Sequence, residues 1–300
     1  MKTDYAKRDE AAKCSFYVLL YKRNGITQDL FDDYWRDIHG AVCARLPGQF
    51  QYWQFHVAHN VGGMFPAIKG VDIMSPPQSQ FDGIAELTHK SVDDRQIWFT
   101  AAAVLMDDEH NIFSKAIGYI TEPGNSITYC DGIENGAPNC NQPADLIKYH
   151  VMLRMNDGVA VADFRKYLTE TLAPALQRSP WLLKLRLHLF EPPDLSRPDA
   201  AGVAHSEPVD ENYHAAFEIA FKNHLDQEYF FASKEYFEAI EGIEKYVKCL
   251  YPFPEKYAAT FVYDGQITLA GMRGSSAAEL ITSIGATNQL HENIGKLFGL

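Results

Sequence analysis

The feature that most constrains this chain is an internal repeat at a spacing of about 133 residues. Phe16-Tyr17-Val18-Leu19-Leu20-Tyr21 parallels Tyr149-His150-Val151-Met152-Leu153-Arg154. Gly25 parallels Gly158, Phe31 and Tyr34 parallel Phe164 and Tyr167, and Arg45 and Pro47 parallel Arg178 and Pro180. Dropping one residue near Gly48 sets His56 on His188 and Glu86 on Glu218. The copies close with Tyr129-Cys130-Asp131-Gly132 against Val262-Tyr263-Asp264-Gly265. So many coincidences in one order mark a duplication.

Each copy reads as a βαββαβ unit. In the first, strand 16–22 leads to an amphipathic helix over 29–46. Its apolar stripe is Phe31, Tyr34, Trp35, Ile38, Val42 and Leu46, with Thr27 as N-cap and Pro47-Gly48 as stop. Strands at 50–57 and 81–88, a long helix from Val92 to about Tyr119 and a strand at 126–130 complete it. The second copy repeats this with strands near 148–155, 182–190, 214–222 and 256–263, and helices near 160–179 and 226–250. The organisation expected is an N-terminal arm (1–14), a first unit (15–132), a Gly/Asn/Pro-rich linker (133–147), a second unit (148–265) and a helical extension (266–300).

A βαββαβ unit carries both helices on one sheet face and leaves the other bare. Two fused units cover each other's bare faces. The expected fold is therefore α+β, with two tandem ferredoxin-like units packed sheet to sheet as a single-chain α/β barrel.

Strand alternation then sorts side chains. Leu183, Leu185, Leu187 and Leu189 belong under helices, so Lys184, Arg186 and His188 face inward. Through the repeat alignment Tyr52, Gln54 and His56 face inward as well. Tyr17, Tyr21, His150 and Arg154 join them, as do Asp82, Ile84, Glu86, His214 and Glu218. Such an interior fits binding or acid–base chemistry, because unpaired polar groups are costly to bury. For the second copy a structural ion-pair network among Glu218, Arg154, Lys184 and Arg186 is an equal reading. Loops 60–80 and 191–212 read as lids, the first lined by Met64, Phe65, Ile68 and Met74 and expected over the pocket of its own unit.

The helix segment Phe31-Asp32-Asp33-Tyr34-Trp35-Arg36-Asp37-Ile38-His39 resembles the EthD family of dimeric α/β-barrel proteins, whose first helix carries Phe-x-x-Tyr-Trp-x-x-x-His. Phe81-Asp82-Gly83-Ile84-Ala85-Glu86-Leu87 resembles the family's third strand, and Asp107-Asp108-Glu109-His110-Asn111-Ile112-Phe113 its closing Asp-Glu-x-x-Phe segment. The second copy matches only the skeleton, with Leu168 for Trp35 and Leu172 for His39. The resemblance implies a fold, and a superfamily that includes cofactor-free cyclases, decarboxylases, dehydratases and monooxygenases together with haem-binding branches.

Candidate catalytic residues are His39, His56 and Asp82. His39 lies on the apolar side of its helix, as a core pin bonded to a carbonyl or as a general acid/base. Asp82 would orient His56. Tyr17, Tyr21, Tyr52, Gln54, Glu86 and Trp35 are the expected substrate-binding residues. The function expected is a cofactor-independent lyase or cyclase acting by proton transfer on a hydrophobic aromatic or polyketide-like molecule. The alternatives are a haem-dependent enzyme, with His188 or His214 as axial ligand, and a non-catalytic small-molecule binder.

Composition narrows the partners. The chain has 300 residues with net charge −12 and no basic run, which disfavours nucleic acid. Its apolar runs are strand-length, so no membrane span is expected. Met1–Lys13 is charged and lacks an apolar signal core, and the five cysteines are scattered without a Cys-x-x-Cys pair. Both features point to a cytoplasmic protein with reduced thiols and no metal site. The segment 277–297 reads as a helix packing on the barrel or on a second chain of a homodimer.

Overall fold

The computed structural model describes residues 11–133, 146–193 and 202–298. The N-terminal arm to residue 10 and most of the expected linker lie outside them. The first unit contains β1 (Cys14–Lys22), a helix α1 over 28–43, β2 (Gln51–Val57), β3 (Gly83–His89), α2 (Val92–Ala101), α3 (Ala103–Ile112), β4 (Phe113–Ile120) and β5 (Ser126–Asp131). The second contains β6 (Ile147–Met155), a helix α4 over 161–177, β7 (Lys184–Leu189), β8 (Ala215–Phe221), α5 (His224–Phe231), α6 (Lys234–Ile240) and β9 (Val247–Tyr263). The short β10 (Gln266–Ile267) precedes α7 (Leu269–Arg273), α8 (Ser275–Ile284) and α9 (Glu292–Leu297).

All ten strands join one antiparallel sheet, in the order β4-β1-β3-β2-β9-β6-β8-β7-β5 with β10 beside β9. The units are stitched together by strand exchange. The 17-residue β9 pairs with β6 through its first half and with β2 of the other unit through its second. In the first unit β4 pairs with β1, and β5 reaches across to β7. The β4–β5 turn at Gly124 (φ 89°) thereby closes the ring into a barrel. The fold is thus the expected α/β barrel, with the two sheets joined edge to edge.

Two expected helices end early. The helix begun at Val92 stops at Ile112, and Phe113–Ile120 is strand. These residues complete the free edge of β1, and Gly118 leaves room for the Phe16 ring 2.5 Å from where a Cβ would stand. Long-range pairing overrides local helix propensity here. In the second unit the helix expected to reach 250 ends at Ile240, because Val247 already pairs with Met155. The C-terminal helix is likewise split, at Gly285 (φ 70°).

Two helix layers flank the barrel. Phe16, Val18, Leu20, Tyr52, Ala85 and Leu87 pack under the first unit's helices, and Val151, Leu153, Leu185, Leu187 and Phe217 under the second's. Inside the barrel lie Tyr17, Leu19, Tyr21, Phe55, Ile84, Tyr119, Met152 and Phe253.

The long loops are also exchanged, which corrects the lid assignment. Phe65 and Ile68 of loop 60–80 pack into the second unit's helix layer, Phe65 against Tyr149 (5.2 Å) and Phe231 (4.8 Å). Reciprocally, Val203 of the second unit's loop enters the first unit's core, and Ala204 bonds with the backbone of Ser114 and Ala116.

Candidate active site

The barrel interior holds the charged groups expected there, but they are committed to one another. Arg186 Nη1 donates to Glu86 Oε1 at 2.7 Å. Lys148 Nζ lies 2.5 Å from Glu218 and 2.8 Å from Glu255, and Lys184 Nζ lies 2.8 Å from Glu218. His188 Nδ1 meets the Ser126 hydroxyl at 3.0 Å, and burial with the Arg186 charge holds the ring well below its ordinary pKa. This is the ion-pair reading, with Lys148 and Glu255 in place of Arg154. Arg154 instead stacks over Tyr213 and donates to the carbonyl of Glu211 at 2.6 Å. His214 is half-buried at a strand end, taking a hydrogen bond from the Met155 N–H.

Three sequence-derived placements are corrected. His56, Gln54 and Tyr52 face the helix layer, and Trp53, Phe55 and Val57 face the barrel. The one-residue drop belongs in the β2–β3 loop, not near Gly48. At an unbroken offset of 133, as between Tyr17 and His150, Tyr52, Gln54 and His56 stand where the second unit has Leu185, Leu187 and Leu189. A slip of one residue turns a strand over. Asp82 does not orient His56. Its carboxylate accepts the Lys22 N–H (2.7 Å) and bonds His59 Nε2 (3.0 Å) at the barrel rim. Glu86, Tyr17 and Tyr21 lie inside the barrel, with Glu86 bound to Arg186.

The polar centre of the first unit lies instead between sheet and helices. Within α1, the turn Trp35–His39 is π-helical. Trp35 and His39, four residues apart and so on one helix face, are both buried. The second unit has the same π turn, Leu168–Leu172, with leucine at both positions. His39 Nδ1 donates to Asp108 Oδ2 of α3 at 2.8 Å. Asp108 also accepts the Tyr34 hydroxyl (2.6 Å) and Asn111 Nδ2 (2.9 Å). The hydrogen bond from His39, reinforced by Tyr34 and Asn111, holds the Asp108 carboxyl well below the usual carboxylate range, and Asp108 pushes Tyr34 up to about 12. Nε2 of His39 has no hydrogen-bond partner among the described residues.

That histidine lines a cavity of about 50 Å³ walled by Trp35, Tyr52, Leu87, Trp98, Leu105 and Phe113. Of the three candidate tyrosines, Tyr52 is the one on this wall. Its hydroxyl accepts Gln54 Nε2 (2.8 Å), which also bonds the Trp35 carbonyl (2.9 Å). Phe16, Trp98, Ala102 and Met106 are shared with a larger recess of about 700 Å³, whose further walls include Phe99, Ile120, Pro192 and His205.

Beside the cavity His56 Nδ1 donates to Asp32 Oδ1 (2.8 Å), and its ring lies 4.4 Å from that of Trp35. Burial lowers the His56 pKa despite Asp32. His56 Nε2, Gln54 Oε1 and Trp35 Nε1 are buried without hydrogen-bond partners.

The residues fit haem poorly. A macrocycle needs several hundred Å³ at its axial nitrogen, and the cavity that His39 lines holds about 50 Å³. His188 is enclosed in the barrel, and His205 Nε2 is bound to Glu109. Among the described residues no group of three or more His, Cys, Asp or Glu is arranged to hold a metal ion.

Sequence reasoning missed Asp108, Asp32, Glu109 and His205. Only the Asp-Glu of the family-like segment pointed toward two of them.

Residues 23–116 match the EthD domain family. A proposed monooxygenase from Fusobacterium nucleatum superimposes with a TM-score of 0.51 at 6% identity, covering 86% of this chain and 97% of that one. An anthrone oxidase-like protein gives 0.48 at 10% identity, covering 84% and 94%. A proposed monooxygenase from Lactobacillus acidophilus gives 0.46 at 11%, covering 86% and 99%. The likeness to the Fusobacterium protein concerns the fold alone. No curated protein matches the chain.

Proposed function

We propose, from an EthD match confined to the half of the chain that carries His39, that this protein is a cofactor-independent lyase or cyclase acting by proton transfer beside a carbonyl. The observation that carries the reading is the His39–Asp108 couple on an apolar cavity, with Nε2 unpartnered. Asp108 fixes the tautomer and stabilises the imidazolium that forms when Nε2 takes a proton. Apolar walls favour a hydrophobic, ring-bearing substrate whose reacting end enters the small cavity and whose body occupies the recess. Tyr52 stands on the wall as a partner for the carbonyl.

The catalytic unit of this reading is 15–132, with 148–265 as supporting unit: leucines replace Trp35 and His39 there. A homodimer is part of the proposal, since Leu280 and Ile284 of α8 remain 72% and 82% exposed. No helix among the described residues is long and apolar enough to cross a membrane, and we place the protein in the cytoplasm.

The test is deuterium uptake from D₂O at the carbon beside the carbonyl of 2-tetralone, followed by proton NMR. The protein should accelerate uptake over buffer, and His39→Gln should lose about a hundredfold or more of that rate. Exchange at the buffer rate with the unaltered protein, or full rate in His39→Gln, overturns the reading.

A further inference from the structure

The cavity at His39 has a second carboxylate on its wall. Glu109 follows Asp108 on α3, and its Oε2 lies 2.6 Å from Nε2 of His205. The two side chains are 13% and 1% exposed. His205 comes from the second unit's exchanged loop and faces the larger recess. Two neighbouring residues of one helix thus each hold a histidine, one from its own unit and one from the other.

From this arrangement we propose that Glu109 is a second catalytic residue, the proton donor to the substrate oxygen, and that His205 is its positioning residue. The inference rests on the proton-transfer reading above. In that step the C–H bond beside the carbonyl breaks and its proton goes to His39 Nε2. The electron pair of that bond forms the C=C bond, and the carbonyl π pair moves to oxygen. The oxygen takes the proton shared by Glu109 and His205, giving the enol. His39 ends one proton richer and the Glu109–His205 couple one proton poorer, so solvent exchange restores both.

The geometry favours this over a loop pin alone. A pin needs no place in the cavity, yet Glu109 forms part of the wall that His39 shares, and its Oε1 has no hydrogen-bond partner among the described residues. The neighbouring charges are already committed. His39 is bound to Asp108, and Arg95 donates to the carbonyl of Thr121 and to Glu122. Lys115, next to the docked loop, is paired with Glu207. Because His205 belongs to the other unit, the donor is complete only when that unit's loop is docked.

The experiment combines 2-tetralone exchange with binding of 2-naphthol, which places a hydroxyl where the enol carries one. Circular dichroism checks that each variant is folded. Glu109→Gln should lower exchange tenfold to a hundredfold and weaken 2-naphthol binding. It should also flatten the alkaline limb of the pH–rate profile and leave the acid limb in place. His205→Gln should show the same pattern more weakly. His39→Gln should lower exchange about a hundredfold or more and keep 2-naphthol binding. If Glu109→Gln keeps the rate, the profile and the affinity while His39→Gln is inactive, the inference falls and the proton-transfer reading stands. If His39→Gln is fully active, both fall. A Glu109→Gln variant that fails to fold transfers the decision to His205→Gln. A lowered rate with an unchanged profile in that variant shows a structural pin and overturns the proposal.

Discussion

Tyr17 and His150 hold equivalent places in the two units, 133 residues apart, and they touch each other: the Tyr17 hydroxyl donates to His150 Nδ1 at 3.0 Å. The pseudo-twofold relation of the barrel therefore runs between a residue and its own counterpart. From there the contacts continue through His150 Nε2 to Glu255, to Lys148 and to Glu218.

This chain of contacts predicts the effect of removing its central cation. Lys148 is 2% exposed, and its two carboxylate partners outweigh the cost of burial to raise its pKa. Lys148→Met leaves the Glu255 and Glu218 charges poorly matched inside the barrel. Urea unfolding should show a loss of about 3–5 kcal/mol. Adding Glu255→Gln should recover part of it, and a single variant as stable as the parent would refute the account.

A pH dependence follows from Asp108. Its carboxyl is held below the ordinary range chiefly by the hydrogen bond from His39. The stabilisation is therefore present above the unfolded value of about 4 and is lost as pH falls through the lower folded value. Asp108→Asn should cost about 2 kcal/mol at neutral pH. The gap between the variants should close as pH drops from about 5 toward 2, as read from urea midpoints. A gap that is constant with pH would show that the charge of Asp108 plays no part.

Loop exchange makes a third expectation. Phe65 belongs by sequence to the first unit and packs between Tyr149 and Phe231 of the second. Phe65→Ala should destabilise the protein by about 3–5 kcal/mol. Intrinsic fluorescence and circular dichroism should report one shared transition. Separate transitions for the two halves would show that they fold independently.

The repeat made the barrel legible, because a bare sheet face has few ways to be covered. Strand exchange was not legible: β5 and the second half of β9 have ordinary strand sequences, and nothing local says whose edge they join. The site was half legible. The π turn holds Trp35 of the apolar stripe, but Ile38 and Val42 of that stripe are 52% and 43% exposed, while His39 is buried. The partners escaped because Asp108 is 69 residues from His39 and His205 is 96 from Glu109. The error at His56 came from placing the one-residue drop before β2, which turned the strand over and hid that its polar face lies under a helix. It lies there because the helix itself brings Asp32, with Lys256 as its second partner.

The long strand β9 has a consequence for how such a molecule can change. In a pair of identical polypeptides every substitution is made twice, so a polar group that helps one pocket must be tolerated in its mirror image. Covalent continuity lifts that obligation. One half can carry Trp35, His39 and Gln54 while the other keeps Leu168, Leu172 and Leu187, and the shared strand ties the polar pocket to a ballast of plain hydrocarbon.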